Sequence, residues 1–436
     1  MSLRKAAWAL AALVLSACHP ANRPTEITLQ RFFGECGALY GRQTEVAKAD
    51  GECGIITTLV NRFNTENPDV RVKVNIAAWP GYDQLSAQLA AGDPPDLVTM
   101  HMSAIADYQS RHLIEPIEQD LRAVGVDPAT FTQAARKGVT KGGAIYGLPF
   151  DNWAMLWQIN LNDFRRAGLV RNGEPVLPHS PEELLAQARQ FKAATGKPYL
   201  IQAQANETAA YTRNLYSYLM QQDAVIFPDP KHIRLNTPEA RRVVDLFRQL
   251  NAEGLSSRNQ DYTAATASFI RGEGGVYLVG TWMIGDFQKE SETPGRPLYR
   301  GYAVVPYPQF YAREATFVDG HSWVVPVRKR TPAQRAAVFR LLKFLADNDF
   351  QWSRTGHIPA FQPVLDSAAF RALHHRREIA KLAVIGSPLP PWVQRQFAIQ
   401  DILGEEMAAA VNGRKPTDRA LADAERRVND LLFHLL

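Results

Sequence analysis

Strand-like and helix-like segments alternate over residues 27–100 of this chain. The pattern predicts strands over 27–33, 70–76 and 97–100, and helices over 55–67 and 83–91. The strand segments are short, rich in β-branched and apolar residues, and bounded by Pro, Gly and Asn, as expected for a mostly parallel sheet covered by helices on both faces. Further helices are predicted over 181–195, 238–251, 332–346 and 417–436. The alternation therefore predicts an α/β protein.

The length of the chain predicts more than one folding unit. Its 436 residues exceed the usual size of a single domain, so we expect two lobes. Acidic and basic residues are interspersed, and the formal net charge is only +5. This charge pattern argues against a nucleic-acid partner.

The N-terminal segment is typical of a bacterial lipoprotein signal. Arg4 and Lys5 precede an apolar run over 6–14, and the run ends in Leu-Ser-Ala before Cys18. The run is too short to span a bilayer, and small residues before a cysteine suit cleavage in front of a lipid-modified thiol. We predict a signal peptide over 1–17, lipidation of Cys18, and a periplasmic protein anchored to a membrane. A cleaved secretory signal followed by an incidental cysteine remains the alternative.

Two cysteines remain once Cys18 is set aside. Cys36 and Cys53 form an even remainder, and an oxidising compartment favours a disulfide between them. Two buried thiols remain the alternative. We predict no metal site here, because neither cysteine lies in a C-x-x-C pair and no histidine lies nearby.

Four segments carry a resemblance to a known family. They read FNTENPDV over 63–70, GDPPDLV over 92–98, GTW over 280–282 and TGHIP over 355–359. Each is weak alone, but their order and spacing cover nearly the whole chain. Together they resemble the extracellular solute-binding proteins (family 1) of ABC sugar importers, in the branch that includes maltose- and trehalose/maltose-binding proteins.

The resemblance implies the two-lobed periplasmic binding protein fold. Each lobe would be a mostly parallel sheet flanked by helices, and crossing hinge strands would join the lobes around a ligand cleft. We expect the crossings near 148–152, 316–320 and 359–363. The N-terminal lobe would then comprise 24–147 and 318–358, and the C-terminal lobe 150–316 and 362–436.

Aromatic residues are the first candidates for a sugar site. Pyranose rings offer apolar C–H faces to aromatic rings, while their hydroxyls need polar partners. Trp79 and Tyr82 follow the second predicted strand, Trp153 follows the first crossing, and Trp282 follows a later strand. Because open α/β sheets bind ligands at the carboxyl ends of strands, Trp79 and Trp282 are favoured, with Trp282 as the expected stacking platform.

Polar partners are predicted at the first crossing and after the third strand. Asp151 and Asn152 lie where the family places a hydroxyl-binding acid. His101 and Met102 follow the third strand, where relatives carry an acidic sugar ligand. This chain has no carboxylate there, and Glu35 after the first strand is a candidate replacement.

The other two crossings complete the predicted site. Gly320 and His321 lie at the second crossing, where glycine would let the backbone approach a ligand closely. Phe361 and Gln362 lie at the third.

Catalysis is the competing hypothesis. Glu35 and Asp151 could face one another as the paired carboxylates of a glycosidase, which remains an alternative function. The sequence contains no G-x-S-x-G, H-E-x-x-H or P-loop motif. We therefore expect a binding protein without enzymatic activity or cofactor.

The expected function is a monomeric receptor that captures a neutral disaccharide of the maltose or trehalose type by hinge closure. It would deliver this ligand to inner-membrane ABC permease subunits. A neutral sugar is favoured because no arginine cluster lies beside the tryptophans in the sequence. A receptor for another solute, such as a glycerol phosphodiester or an oligosaccharide, remains the alternative.

Overall fold

The computed structural model describes residues 23–435, so the predicted signal peptide and Cys18 lie outside the described residues. Its strands are numbered in chain order: β1 (Thr25–Arg31), β2 (Val70–Ile76), β3 (Leu97–His101), β4 (Thr140–Lys141), β5 (Ala144–Ile145), β6 (Leu148–Pro149), β7 (Asp151–Asn160), β8 (Val170–Arg171), β9 (Glu174–Pro175), β10 (Leu200–Ile201), β11 (Val276–Gly280), β12 (Tyr302–Pro306), β13 (Thr316–Asp319), β14 (His321–Val324), β15 (Ile358–Pro359) and β16 (Gly386–Ser387).

The helices surround these strands. No helix within residues 23–435 combines the length and apolar character needed to cross a membrane. The α-helices are α1 (Gly37–Tyr40), α2 (Gly51–Glu66), α3 (Tyr82–Ala90), α4 (Ile105–Ser110), α5 (Glu118–Ala123), α6 (Gln133–Val139), α7 (Leu161–Arg166), α8 (Pro181–Thr195), α9 (Thr208–Met220), α10 (Pro238–Ala252), α11 (Tyr262–Ile270), α12 (Ile284–Glu292), α13 (Pro332–Asp347), α14 (Asp349–Ser353), α15 (Gln362–Leu365), α16 (Ala368–Arg371), α17 (Arg376–Ile379), α18 (Leu382–Ile385), α19 (Gln396–Val411) and α20 (Thr417–Phe433).

The first lobe is built on a five-stranded sheet in the order β2-β1-β3-β14-β6. β1 pairs in parallel with β2 and with β3, which confirms the predicted βαβαβ beginning. β14 comes directly after the long second-lobe segment of the chain and pairs antiparallel with β3. The parallel arrangement matters for function, because it places the carboxyl ends of β1, β2 and β3 at one edge of the sheet.

The second lobe differs in strand direction from the mostly parallel sheet predicted for it. Its sheet has the order β10-β11-β7-β13-β16, and β12 and β15 also pair with β7. β7 runs antiparallel to β11, β12, β13 and β15. The reason is the direction of β7, which starts at the hinge and runs away from it for ten residues. A neighbouring strand that leads the chain back toward the hinge is therefore antiparallel to β7.

The chain passes between the two sheets at two single residues. Phe150 lies between β6 of the first sheet and β7 of the second, and Gly320 lies between β13 of the second sheet and β14 of the first. At the third passage Ile358 and Pro359 pair with β7, whereas Phe361 packs against the first-lobe core. The lobes are therefore joined by strand segments that lie side by side.

Each lobe has its own hydrophobic core. The first-lobe core draws on residues between Ile27 and Phe150 and between Trp323 and Ala360. The second lobe buries both faces of its sheet, with Trp153 and Trp157 on one face and Ala154 and Leu156 on the other, as the two-residue period of a strand requires. Val318 and Ile358, assigned to the first lobe from the sequence, pack in the second lobe because their strands pair with β7.

Cys36 and Cys53 form a disulfide, as predicted. The bridge links the segment after β1 to the first turn of α2 and closes a loop with a sequence separation of 17. A loop of this length stabilises the fold by roughly 3 kcal/mol in the chain-entropy picture. The bridge holds the N-terminus of α2 beside the cleft.

Candidate functional site

A cavity of about 440 Å³ lies between the lobes. Its size is within the range of small-molecule sites, roughly 300–1,000 Å³. Aromatic rings dominate its walls, with a few charged and imidazole groups among them. The first lobe contributes Phe32, Phe33, Gly34, Glu52, Trp79, His101 and His321, and the second contributes Trp153, Met155, Ala203, Glu207, Ala210, Arg213, Tyr262, Tyr277, Leu278, Val279 and Trp282.

The first-lobe wall forms where the parallel strands end. Phe32 directly follows β1, Trp79 follows β2, and His101 is the last residue of β3. The rings of Phe32 and His101 stack with centroids 5.0 Å apart, and Trp79 meets His101 edge-on at 5.9 Å. Trp79 remains 42% exposed, so part of its indole is available to a ligand.

Tyr82 orients His101. Its hydroxyl accepts the backbone N–H of His101 at 2.9 Å and lies 2.8 Å from the ring Nδ1. Burial, together with the nearby charges of His321 and Arg213, holds the pKa of His101 well below its usual value, so the imidazole is neutral at pH 7. Tyr82 itself lines a neighbouring interlobe cavity of about 520 Å³ that shares Trp79 with the first.

Two tryptophans of the second lobe face this wall. Trp153 lies on β7 and is buried, while Trp282 follows β11 and is partly exposed. Their rings meet edge-to-face with centroids 5.6 Å apart, and Trp282 Nε1 donates to the Tyr262 hydroxyl at 2.9 Å. A Cβ on Gly280 would lie 2.0 Å from the Trp282 ring, so glycine is required for this ring position.

Arg213 of α9 lies among these aromatic rings. Its guanidinium carbon is 4.6 Å from the centroid of Trp153, 5.6 Å from Trp79 and 5.9 Å from Trp282. The residue is 9% exposed, and burial lowers its pKa. Within residues 23–435, Arg213 makes no ion pair within 4.0 Å and donates a weak hydrogen bond to Met155 Sδ at 4.0 Å, while the charge of Glu207 acts on it from farther away. The wall of the cleft therefore contains a buried cation.

A cluster of polar groups forms the base of the cavity at the hinge. Asp151 is fully buried; its carboxylate accepts the backbone N–H of His321 at 3.0 Å, bonds His321 Nδ1 at 2.8 Å, and accepts Trp352 Nε1 at 2.7 Å. Burial raises the pKa of Asp151, but the neighbouring His321 and His357 and these hydrogen bonds outweigh it and lower the pKa. His357 Nε2 in turn bonds Glu52 at 2.8 Å. Asp151 thus lies behind His321 and does not line the cavity.

Three other predicted residues lie away from the cavity. Glu35 is exposed and accepts the backbone N–H of Gly37 at 2.6 Å, so its carboxylate caps the short helix α1. Met102 and Asn152 line a separate interlobe cavity on the other side of the hinge. Met102 directly follows the cavity residue His101, and Asn152 directly precedes Trp153. Neighbouring side chains on an extended chain point to opposite sides, so both are turned away from the cavity.

Of the four residues predicted at the second and third crossings, one lines the cavity and three do not. His321 lines the cavity, whereas Gly320 is needed for packing between the crossing strands, since a Cβ there would lie 2.2 Å from the Asp151 carbonyl oxygen. Phe361 packs edge-on against Phe131 of the first lobe at 5.2 Å. Gln362 is exposed and donates to Asp366, the residue that follows α15.

Several cavity residues were not predicted from the sequence. Phe32 and Phe33 could have been found, since they end the first predicted strand, and the same rule had selected Trp79. Arg213 carries no such signal, because it lies in the middle of α9 and reaches the cleft only through the packing of that helix. The absence of an arginine cluster beside the tryptophans in the sequence therefore did not indicate the charge of the cleft.

Known proteins resemble this chain in sequence or in fold. The sn-glycerol-3-phosphate-binding periplasmic protein UgpB of Escherichia coli K12 is 24% identical over 419 residues, covering 88% of this chain and 90% of that protein. Maltose-bound MalE3 of T. maritima superposes with a TM-score of 0.78 at 17% identity, over 93% of this chain and 100% of MalE3. The GacH receptor of Streptomyces glaucescens, solved unliganded and with acarbose, gives 0.77 at 15% identity, over 95% and 100%.

The family assignment follows from the sequence match together with the fold. Residues 54–352, more than half of the chain, match a single protein family. The structural relatives show the same two-lobed α/β fold. The chain belongs to the bacterial extracellular solute-binding proteins, the receptors of ABC importers.

Proposed function

We propose that this protein is the receptor of an ABC importer that captures a neutral disaccharide of the maltose or trehalose type in its interlobe cleft. The observation that carries the proposal is the pairing of partly exposed indoles on opposite walls, Trp79 on the first lobe and Trp282 on the second. Such rings suit the apolar faces of a pyranose, while His101, Glu52 and Glu207 can bond hydroxyls at their edges. A binding role also accounts for the cavity without assigning any residue a catalytic step.

Capture would proceed by hinge closure. Both lobes contribute to the cavity walls, so a ligand that contacts both favours the closed arrangement over the open one. The closed form is then the state that the permease subunits recognise. Support for a hinge at this position comes from Phe150 and Gly320, where single residues separate strands of the two sheets.

A glycerol phosphate ester is a second candidate ligand. The specific observation that favours it is Arg213, a buried guanidinium that lines the cavity and makes no ion pair within 4.0 Å in the described residues, although Glu207 and Asp319 act on it from farther away. A phosphate would supply that partner through charge-assisted hydrogen bonds. The relative UgpB, described as binding sn-glycerol-3-phosphate, supports the same candidate.

Titration calorimetry of the wild type and an Arg213→Met variant separates the two candidates. With a disaccharide as ligand, we expect maltose or trehalose to bind the wild type and Arg213→Met to weaken binding by about tenfold, the loss of one hydrogen bond from a charged donor. With a phosphate ester as ligand, we expect sn-glycerol 3-phosphate to bind and the variant to lose at least about a hundredfold. Methionine keeps most of the apolar contact with the tryptophan rings.

Arg242→Met is the matched control. Arg242 lies on the outer face of the second lobe, where it pairs with Glu239, and its side chain is 53% exposed. Its replacement should leave both affinities unchanged. Saturable binding of neither ligand class to the folded protein would contradict the proposal.

The receptor would be held at the membrane by a lipid on Cys18. We expect Cys18→Ser to abolish labelling with a radioactive fatty acid and to move the protein from the membrane to the soluble periplasmic fraction. Cys53→Ser, which removes a cysteine of the disulfide, serves as the control and should remain lipid-labelled. Membrane retention of Cys18→Ser would contradict the anchor.

A further inference from the structure

Glu52, His321 and His357 converge at the base of the cleft. One ligand atom from each, a carboxylate oxygen and two imidazole nitrogens, lie within 4.8 Å of one another. Both histidines are buried, and Glu52 is partly exposed. The three residues come from α2, β14 and the segment before β15, so the hinge region brings them together from distant parts of the chain.

Each imidazole is held by its Nδ1 atom. His321 Nδ1 bonds Asp151 at 2.8 Å, and His357 Nδ1 lies 3.3 Å from the Thr281 hydroxyl. His357 Nε2 points to Glu52, while His321 Nε2 has no hydrogen-bond partner within residues 23–435. Histidines that bind metals through Nε2 are oriented in this way, by a carboxylate or another polar group on the second nitrogen.

The charge of the cluster favours a cation. Two carboxylates approach the two imidazoles: Asp151 lies 2.8 Å from His321 and 3.8 Å from His357, and Glu52 lies 2.8 Å from His357. The two imidazole rings lie 5.4 Å apart, beside these carboxylates. A divalent cation beside the two imidazoles would balance the negative charge of these carboxylates.

We propose that Glu52, His321 and His357 bind a divalent transition-metal ion, best matched by Zn²⁺, at the base of the cleft. Two histidines and one carboxylate are a common zinc ligand set that leaves a fourth position open. Glu52 and His321 line the cavity, so the open position faces the space that a solute would occupy. The metal site is compatible with either candidate solute, and when the metal is bound Glu52 is a metal ligand and leaves the solute hydroxyls to His101 and Glu207.

The geometry needs a small adjustment on binding. Ligand atoms around zinc, each about 2.0–2.2 Å from the metal, lie about 3.4 Å apart, compared with separations of up to 4.8 Å here. The Glu52 side chain is 26% exposed and can move toward the histidines, which Asp151 and Thr281 hold in place. Binding of the metal would replace the hydrogen bond between Glu52 and His357.

Metal titrations of the purified, chelator-stripped protein test the proposal. We expect one Zn²⁺ per chain by calorimetry, a rise in melting temperature with Zn²⁺, and the visible absorption bands of four- or five-coordinate cobalt with Co²⁺. His357→Gln and Glu52→Gln should each weaken Zn²⁺ affinity about a hundredfold or more. Glu52→Gln changes a partly exposed side chain, so it keeps the test valid if His357→Gln fails to fold.

His232→Gln is the control. His232 also lies beside a carboxylate, Asp229 at 2.9 Å, but both are on the exposed surface, and no third ligand joins them in the part of the chain that the structure describes. Its loss should not alter the stoichiometry or the cobalt spectrum. Absence of stoichiometric Zn²⁺ binding by the folded wild type, or equal weakening by His232→Gln and Glu52→Gln, would overturn the site.

Discussion

Replacing Trp282 by alanine is expected to weaken disaccharide binding by about thirty- to a thousandfold, a loss of roughly 2–4 kcal/mol. The indole of Trp282 is partly exposed, packs edge-to-face against Trp153 and donates a hydrogen bond to Tyr262, so its position is fixed. Its removal deletes a rigid stacking face that was already in position before the ligand arrived. Calorimetric titration beside a thermal melt without ligand measures the two effects separately.

Trp392→Ala is the matched control for this prediction. Trp392 is also a partly exposed tryptophan, 41% accessible, but it lines the separate cavity beyond the hinge. Its loss should leave disaccharide affinity unchanged. An unchanged affinity of Trp282→Ala, or a weakened one only in a protein that already melts early, would assign Trp282 to the core instead of the ligand site.

Asp151→Ala is expected to destabilise the protein by about 3–5 kcal/mol. The fully buried carboxylate accepts hydrogen bonds from the backbone and ring of His321 and from the ring of Trp352. Alanine would leave these donors buried without a partner, and such losses are much larger than the net gain from forming the same bonds. Because these groups join the hinge strands of both lobes, we expect one cooperative loss of stability, measurable by denaturant titration.

Two further variants check the origin of this loss. Asp151→Asn preserves the size of the side chain and one acceptor oxygen, so it should lose less than alanine. Asp366→Ala removes an exposed carboxylate that accepts from Gln362 at the end of α15, and should change stability by less than about 0.5 kcal/mol. Equal effects of Asp151→Ala and Asp366→Ala would show that the buried network does not stabilise the hinge.

The local pattern of the chain was sufficient for many element bounds. The predicted strand over 70–76 and the helix over 181–195 match β2 and α8, because hydrophobic period and proline position act over a few residues. Strand direction in the second lobe was not predictable in this way. It depends on which segments pair with β7, and such pairing is set by contacts between residues far apart in sequence.

The sequence by itself determined the α/β class, the family, the Cys36–Cys53 pair and the aromatic residues at strand ends, because each depends on short motifs, composition or the end of a strand. The tertiary structure alone decided which side chains meet in the cleft. Arg213 from the middle of α9 and Glu52 from the start of α2 reach the cavity through helix packing, while Asp151 is withdrawn behind His321. Side-chain direction at these positions depends on the packing of elements from both lobes, which no local pattern contains.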